Sequence, residues 1–405
     1  METEIVELSG HIIDSLLLGK VLDAIVEAGA DYRMFDVEIG RTNTDMSSVR
    51  LEITARDTAA LERLLENLQV HGVNRLLLSP ARLVGCERDG VLPAGFYSTT
   101  NLPTFVLTEG GKIKVENPEM DCALVVRDGA VRTVPMHRAR EGDLVVVGLD
   151  GVEVTAPSRP RGPNPFEFMS SEVSSEKPKR LLLERLAERL RGARAAGGKV
   201  LVVAGPAVIH TGAGPDLAGL VRSGWVDVLF AGNGFATHDI ESNVLGTSLG
   251  VSVKEGTPTE HGHANHLRVI NEVRRAGSIK AAVESGWLSS GVMYECVQAN
   301  VPFLLAGSLR DDGPLPDVVS DTVVAADKMR ELIGGVSVAV MLASTLHAIA
   351  TGNVLPAWVE TFCIDINQAV VTKLADRGSH QAFGIVTDVA LFVRELAAEL
   401  EPGRA

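Results

Sequence analysis

From about residue 180 onward the chain is built on short runs of consecutive apolar residues, and nothing else in it constrains the fold as strongly. The runs are KVLVVAGP, VDVLFAGN, PFLLAGS, VSVAVMLAS, TFCIDIN and FGIVTD. A strand with one wet face alternates apolar and polar residues; these do not, which is how parallel strands covered on both faces read. Most of them lead into a helical stretch. The expected fold class is therefore α/β, with a C-terminal doubly wound, mostly parallel, Rossmann-like sheet. Ligands bind such sheets beyond the carboxyl ends of the strands, so the residues just after each run are where chemistry is expected.

The upstream sequence has a different texture. In HIIDSLLLGKVLDAIVEAGA, residues Ile12, Leu16, Leu17, Val21, Ile25 and Val26 recur at helical spacing before Gly29. YRMFDVEIG and SVRLEITA then alternate like strands, and TAALERLLENLQVHG is a second amphipathic helix. A small α+β domain of βαββαβ type over 1–95 fits that order. Residues 96–160 read as a β-rich module, with Asp-Gly pairs at 128–129 and 150–151 as hairpin turns. The Pro- and Ser-rich stretch APSRPRGPNPFEFMSSEVSSEKPKR resembles a linker, although Phe166, Phe168 and Met169 are apolar for one. The Rossmann-like domain is assigned to 161–405.

Composition narrows the function classes. With 405 residues and 45% hydrophobic content, a large core can be buried and disorder is excluded. A net charge of −14 argues against nucleic acid or an anionic membrane as partner and is compatible with a cationic small substrate. Cys86, Cys122, Cys296 and Cys363 lie far apart with no CxxC pair, so a reduced, cytoplasmic protein is expected. METEIVELSG holds no apolar signal core, and no apolar run reaches the ~20 residues of a membrane span.

The strand ends carry small residues, hydroxyls, amides and acids. Gly205-Pro206, Gly232-Asn233-Gly234, Ser344-Thr345, Asp365 and Asp388 each follow one of the runs. Small residues let backbone N–H groups approach a phosphate, but AGNGFATHDIES is not GxGxxG, and a tight strand-to-helix turn explains it equally. Ser344 and Thr345 suit either a helix cap or a phosphate site. Asp365 and Asp388 suit either ribose hydroxyls or a helix cap. Together these ends favour a dinucleotide-binding domain.

After VPFLLAG comes AGSLRDDGPLPD, where Asp311 and Asp312 are adjacent although turn formation does not require both; they either meet solvent or face a cation. His210 and His347 follow strand runs and could exchange protons near neutral pH, the alternative being structural histidines. His261, His263 and His266 in EHGHANH are not spaced as ligands on one helix face, so no metal is expected. Cys296 sits in an apolar helical context and reads as core.

Longer strings carry a family resemblance. GHIIDSLLLGKVLDAIVEAGADYRMFDVEIG resembles the conserved region named after lysine-oxoglutarate reductase/saccharopine dehydrogenase. FEFMSSEVSSEKPK, VVAGPAVIHTGAG, AGNGFATHDIESNVLGTSLG, RRAGSIKAAVESGWLSSGVMYECV, AGSLRDDGPLPDVVSD and LPAWVETFCIDINQAVVTKLADRGS are similar to the archaeal-type ornithine cyclodeaminases, from residue 5 to about 395. The resemblance also covers the C-terminal part of cyanobacterial bifunctional arginine-dihydrolase enzymes, and guanidine hydrolysis is not expected of these residues.

The resemblance implies tightly bound NAD and conversion of L-ornithine to L-proline with loss of ammonia, by hydride transfer out to the cofactor and back. Carried over by position, the NAD contacts fall on Asn233, Gly234, Asp312, Ser344, Thr345, Leu346, His347, Asp365, Asp388 and Val389. Gly234 departs from the family, which often has a side chain there. For catalysis the candidates are Asp311 or Asp312 for the substrate amines and Lys254 or Arg310 for its carboxylate. His210 could act as an acid or base, and Glu172 and Glu295 are alternative bases. The resemblance places the protein in ornithine and arginine breakdown and proline formation, and a homo-oligomer is expected. Two rivals stand: an NAD enzyme acting on another diamino acid or a saccharopine-like substrate, and a non-catalytic amino-acid sensor.

Overall fold

The structure is a computed structural model that describes residues 1–13, 17–41, 45–76, 79–155, 179–248, 251–252, 264–311, 313–376 and 382–401. These fall into two compact units, within Met1–Phe168 plus Asn353–Trp358 and within Met169–Gly352 plus Val359–Ala405.

The first unit begins with β1 (Glu2–Gly10), α1 (Leu17–Glu27), β2 (Asp31–Glu38), β3 (Ser47–Ala55), α2 (Thr58–Gln69) and β4 (Val73–Arg75). Its sheet has the order β2-β3-β1-β4, antiparallel throughout, the βαββαβ arrangement expected from the sequence. Burial alternates strictly along β3, with Ser47, Val49, Leu51, Ile53 and Ala55 inside, so one face meets the helices and the other stays open. Seven more strands follow: β5 (Arg82–Gly85), β6 (Thr104–Thr108), β7 (Gly111–Lys114), β8 (Ala123–Arg127), β9 (Ala130–Val134), β10 (Leu144–Val147) and β11 (Val152–Val154). They form sheets of order β5-β10-β8-β9 and β11-β6-β7. Across the sequence division near residue 95, β5 pairs with β10, and Leu8, Ile25 and Leu51 share one cluster with Leu102, Val106 and Val146.

Of the two expected hairpins, Asp128-Gly129 joins β8 to β9 with both residues at positive φ, 52° and 77°. Asp150-Gly151 does not make a hairpin. It carries the chain from β10 into a different sheet, where β11 pairs with β6. Gly151 holds a positive φ of 72° in a turn closed by Val152 N donating to Leu149 O at 3.2 Å, and it also lies against the backbone of Ala81, 2.3 Å from where a Cβ would stand, so local turn and long-range packing both require glycine here.

The second unit runs through α3 (Lys179–Ala195), β12 (Lys199–Ala204), α4 (Ala207–His210), α5 (Gly214–Arg222), β13 (Val228–Gly232) and α6 (Asn233–Val244). A short hairpin, β14 (Thr247–Ser248) and β15 (Val251–Ser252), precedes α7 (Asn265–Ala276), α8 (Ile279–Glu284) and α9 (Val292–Gln298). The chain continues through β16 (Phe303–Ala306), β17 (Val318–Val319), α10 (Thr322–Leu332), β18 (Val336–Leu342), α11 (Leu346–Val354), β19 (Glu360–Asp365), α12 (Gln368–Asp376), β20 (Ala382–Val386) and α13 (Val389–Leu400). All six apolar runs are strands of one parallel sheet, order β17-β16-β13-β12-β18-β19-β20. Five of the six residues of β12 are buried, as a strand covered on both faces requires. Among the described residues no helix is long and apolar enough to cross a membrane.

Candidate functional site

The strand order reverses beside β12. From there the chain steps outward through β13, β16 and β17, then returns to lay β18 on the other side of β12. Doubly wound sheets take ligands in the crevice outside the carboxyl ends of the strands at such a switch point, here beyond the ends of β12 and β18. The strands are unusually close at this point. Gly205 N donates to Leu342 O at 2.8 Å, and a Cβ on Gly205 would stand 1.8 Å from Ala343 O. Ala343 itself has φ +45°, a left-handed conformation that costs a non-glycine residue roughly 1–2 kcal/mol. The donation of Ala343 N to Ile364 O at 2.9 Å helps hold it there. Backbone strain of this kind concentrates at functional sites.

Buried Ser344 and exposed Thr345 come next, and Thr345 O accepts the N–H of Ile349 in the first turn of α11. The N-terminus of α11 thus follows the crevice. His347, in that turn, lies across the end of β13: a Cβ on Gly232 would meet its Cε1 at 2.8 Å. Burial holds the imidazole below its ordinary pKa, and the nearby charge of Asp311 acts the other way. Asp311 reaches this position from the loop after β16, where its own carboxylate accepts Ser308 N at 2.8 Å. Of the two paired acids, then, Asp311 holds the loop's own backbone. Asp312, Lys254, Glu172, His261 and His263 lie outside the described residues.

Asn233 opens α6 with a buried side chain whose Oδ1 accepts Leu315 N at 3.0 Å, tying down the same loop. Gly234 faces Pro206, with room for a Cβ only 3.3 Å from its Cγ. Asp365 ends β19, next to β18, and is 8% exposed. Among the described residues its carboxylate accepts one hydrogen bond, from Asn367 N at 2.8 Å through Oδ1. Asn367, not Asp365, caps the following helix, accepting Ala369 N at 3.0 Å. Asp388 is exposed and does cap a helix, accepting Leu391 N at 2.9 Å, while the side chain of Val389 is buried in the core. Leu346 stands 77% exposed at the start of α11. The fold therefore assembles Asn233, Gly234, Asp311, Ser344, Thr345, Leu346 and His347 about one crevice. Asp365 lies one strand further on.

Glu295 is elsewhere. It pairs with Arg222, the last residue of α5, at 2.6 Å, and because α5 returns toward the start of β13 the pair lies at the amino ends of the strands. The partner is 73 residues away in sequence, so nothing local signals it. Glu295→Gln is accordingly expected to lower stability and leave steady-state turnover unchanged, measured by thermal melting and ammonia release. Cys296 is fully buried, and burial together with the carboxylates of Asp239 and Glu295 pushes its thiol pKa well up, which suits core and not nucleophile.

Sequence reading missed two buried acids on α6. Asp239 is completely buried and accepts Val292 N at 3.0 Å and Met293 N at 2.8 Å, capping α9. Glu241, also completely buried, pairs with His238. The His238–Glu241 spacing of i,i+3 is visible in the sequence; their burial is not.

Small residues, one strained backbone position and a helix N-terminus at the switch point of a parallel sheet make this a Rossmann-type nucleotide-binding protein. Residues 184–396 match the model of the arginine dihydrolase ArgZ-like C-terminal Rossmann fold, 103–183 its C-terminal first region, and 3–102 the LOR/SDH bifunctional enzyme conserved region. The chain belongs to this ArgZ-like family. An ornithine cyclodeaminase from Methanopyrus kandleri is 51% identical over 401 residues, covering 98% of this chain and 97% of its own. The crystal structure of a conserved LOR/SDH protein from Methanococcus maripaludis superposes with a TM-score of 0.76 at 46% identity, over 80% of this chain and 99% of that one. The ternary complex of AgrE with ornithine and NAD+ matches with a TM-score of 0.54 at 41% identity, over 98% of this chain and 57% of that one.

Proposed function

We propose that this protein is an NAD-dependent ornithine cyclodeaminase that converts L-ornithine to L-proline and ammonia. The observation that carries the reading is the strand-order reversal at β12 and β18, in a chain whose full-length relative from Methanopyrus kandleri is named ornithine cyclodeaminase. AgrE, of the same family, binds ornithine and NAD+ together.

The residues present fit a dinucleotide. Gly205 lets the Ala343 backbone, and Gly232 the His347 ring, close onto the strand ends, and the start of α11 offers N–H groups to a phosphate. Asp365 holds a carboxylate at a strand end with one oxygen uncommitted among the described residues, as ribose hydroxyls require. When bound, NAD supplies a reversible hydride acceptor at the substrate carbon. The chain must supply the rest: a carboxylate to orient a cationic substrate, groups that accept and return protons, and exclusion of water. We assign substrate amine contact to Asp312, with Asp311 shaping the loop that presents it, and the NAD contacts to the crevice residues together with Asp388 and Val389 at the start of α13.

The test is direct. Purified protein incubated with L-ornithine is expected to release proline and ammonia in equal amounts, with a transient NADH absorbance. Turnover of another diamino acid in preference to ornithine, or binding without turnover, would overturn the reading in favour of one of the two rivals.

A further inference from the structure

A second polar cluster stands beside the crevice. His210 closes α4, the single turn that follows Gly205-Pro206, and its Nδ1 lies 2.7 Å from Ser248 Oγ in β14. His238 is five residues into α6, hence about 7–8 Å along the helix from the end of β13. Its Nδ1 lies 2.8 Å from Glu241 Oε2. The two imidazole rings are in edge contact, with centroids 4.7 Å apart. Glu241 is fully buried, and its other oxygen accepts Thr247 Oγ1 at 2.8 Å. Thr247 in turn accepts Asn265 Nδ2 at 2.9 Å, and Asn265 Oδ1 accepts Arg268 Nη1 at 3.1 Å. The remaining titratable group facing the cluster among the described residues is His266 on α7, its ring 6.4 Å from that of His238.

This arrangement handles charge in a particular way. A carboxylate with no exposure is costly unless paired, and a proton on His238 pairs it. A second proton on His210, one ring away, would be repelled by the first. The neighbouring charge of His238 and burial both lower the pKa of His210, burial being the larger cause. Contact between the two rings therefore disfavours a proton on both at once. Among the described residues, no group of His, Cys, Asp or Glu is arranged to hold a metal ion, and the two Nδ1 atoms are already committed.

We propose that Glu241, His238 and His210 form a one-proton store for the reaction, a reading that rests on the ornithine cyclodeaminase assignment. The δ-ammonium of ornithine must lose a proton before its nitrogen can attack the α-carbon. Once loss of hydride has left the α-carbon as an imine, that N–H bond breaks and its proton passes to imidazole, while the freed nitrogen pair forms the ring C–N bond and the C=N π pair moves onto the α-nitrogen. Imidazole then protonates the α-nitrogen and takes the second proton of the ring nitrogen, whose pair forms the ring C=N bond as the α-nitrogen's bond to carbon breaks; the departing ammonia takes the proton from imidazole and leaves as ammonium. Ornithine enters as a cation, and neutral proline and ammonium leave, so the store ends each turnover as it began. The proton that the α-ammonium loses before the oxidation goes to solvent and returns from it to the proline nitrogen, so the store carries only the protons of the cyclisation step, one at a time. Glu241 and His238 act as positioning residues, and His210, the most accessible of the three, is the member that exchanges the proton.

Glu241→Gln keeps the size of the side chain and the acceptor for Thr247 but removes the charge that stabilises an imidazolium. In that variant kcat is expected to fall about 100- to 1000-fold, within the range of general acid–base effects. The KM for ornithine and the Kd for NAD are expected to hold, while the imidazole limb of the kcat–pH profile moves to lower pH. His210→Ala is expected to lose turnover to a similar degree and to regain it with added imidazole, in proportion to the free base. An unshifted pH profile and undiminished kcat in Glu241→Gln would overturn the proposal, as would a folded, NAD-binding His210→Ala that imidazole does not rescue. Should Glu241→Gln fail to fold, the imidazole experiment decides alone. Absence of ornithine turnover in the unmodified protein is a separate outcome, which strikes the underlying assignment.

Discussion

Replacing Gly205 with alanine is expected to weaken NAD binding by about 10-fold or more and to lower the melting temperature, from a single added methyl group. The new carbon would stand 1.8 Å from Ala343 O and 2.8 Å from Ala343 C, and both are backbone atoms that no rotamer change can move aside. The ends of β12 and β18 would have to separate, straining the Gly205 N–Leu342 O bond and the left-handed turn at Ala343. Overpacking of this kind costs ~1–3 kcal/mol, and 1.4 kcal/mol corresponds to ten-fold in affinity. Titration calorimetry with NAD and a thermal melt measure the two effects. Gly219→Ala is the control, because nothing lies within 4 Å of its added carbon in helix α5 and alanine there is expected to be neutral or stabilising. Equal NAD affinity in Gly205→Ala and the control would mean that the crevice is not where the cofactor sits.

Asp239→Ala is expected to destabilise the second unit most strongly in acid. The carboxylate caps α9 from inside the core, and its loss leaves the buried N–H groups of Val292 and Met293 without acceptors. Each orphaned donor costs ~1–3 kcal/mol. The pH dependence carries a distinct signature. Burial pushes Asp239 up to about 6 from its ordinary 3.8, with the two backbone N–H groups opposing. Below 3.8 both folded and unfolded states are protonated at this position. Between 3.8 and 6 the unfolded chain releases the proton and the folded chain keeps it, so the contribution of Asp239 to stability falls as pH rises. The stability difference between the unmodified protein and Asp239→Ala is thus expected to narrow by up to about 3 kcal/mol across that window, since each pKa unit is worth 1.36 kcal/mol. Denaturant melts of both proteins at matched pH values measure it. A difference that stays constant with pH would show that the carboxylate is ionised in the fold throughout.

Much of this molecule was legible before its folding was known, for a physical reason that recurs at each strand. A run such as KVLVVA must be shielded on both faces, and only a parallel sheet between helix layers shields several such runs at once. The two-residue strand Val318–Val319 was not legible, because a Pro- and Asp-rich loop pairs there only by lying beside β16. Ambiguities between capping and binding could not be resolved from local sequence either. Asp365 and Asp388 both end apolar runs, yet Asn367 relieves the first of capping duty and the second has no such neighbour.

By itself, then, the sequence determined the α/β class, the six parallel strands, the βαββαβ start and the small residues at the strand ends. These follow from periodicity and from what each residue type permits locally. Tertiary structure alone decided which strand ends meet, that Asp311 faces His347 while Glu295 is taken by Arg222, and that Glu241 is buried against His238 beside His210. Such pairings join residues far apart in the chain, 73 positions for Arg222 and Glu295, and burial sets the charge and proton affinity of the ionisable ones. Burial is a property of the packed chain and is absent from any local stretch of it.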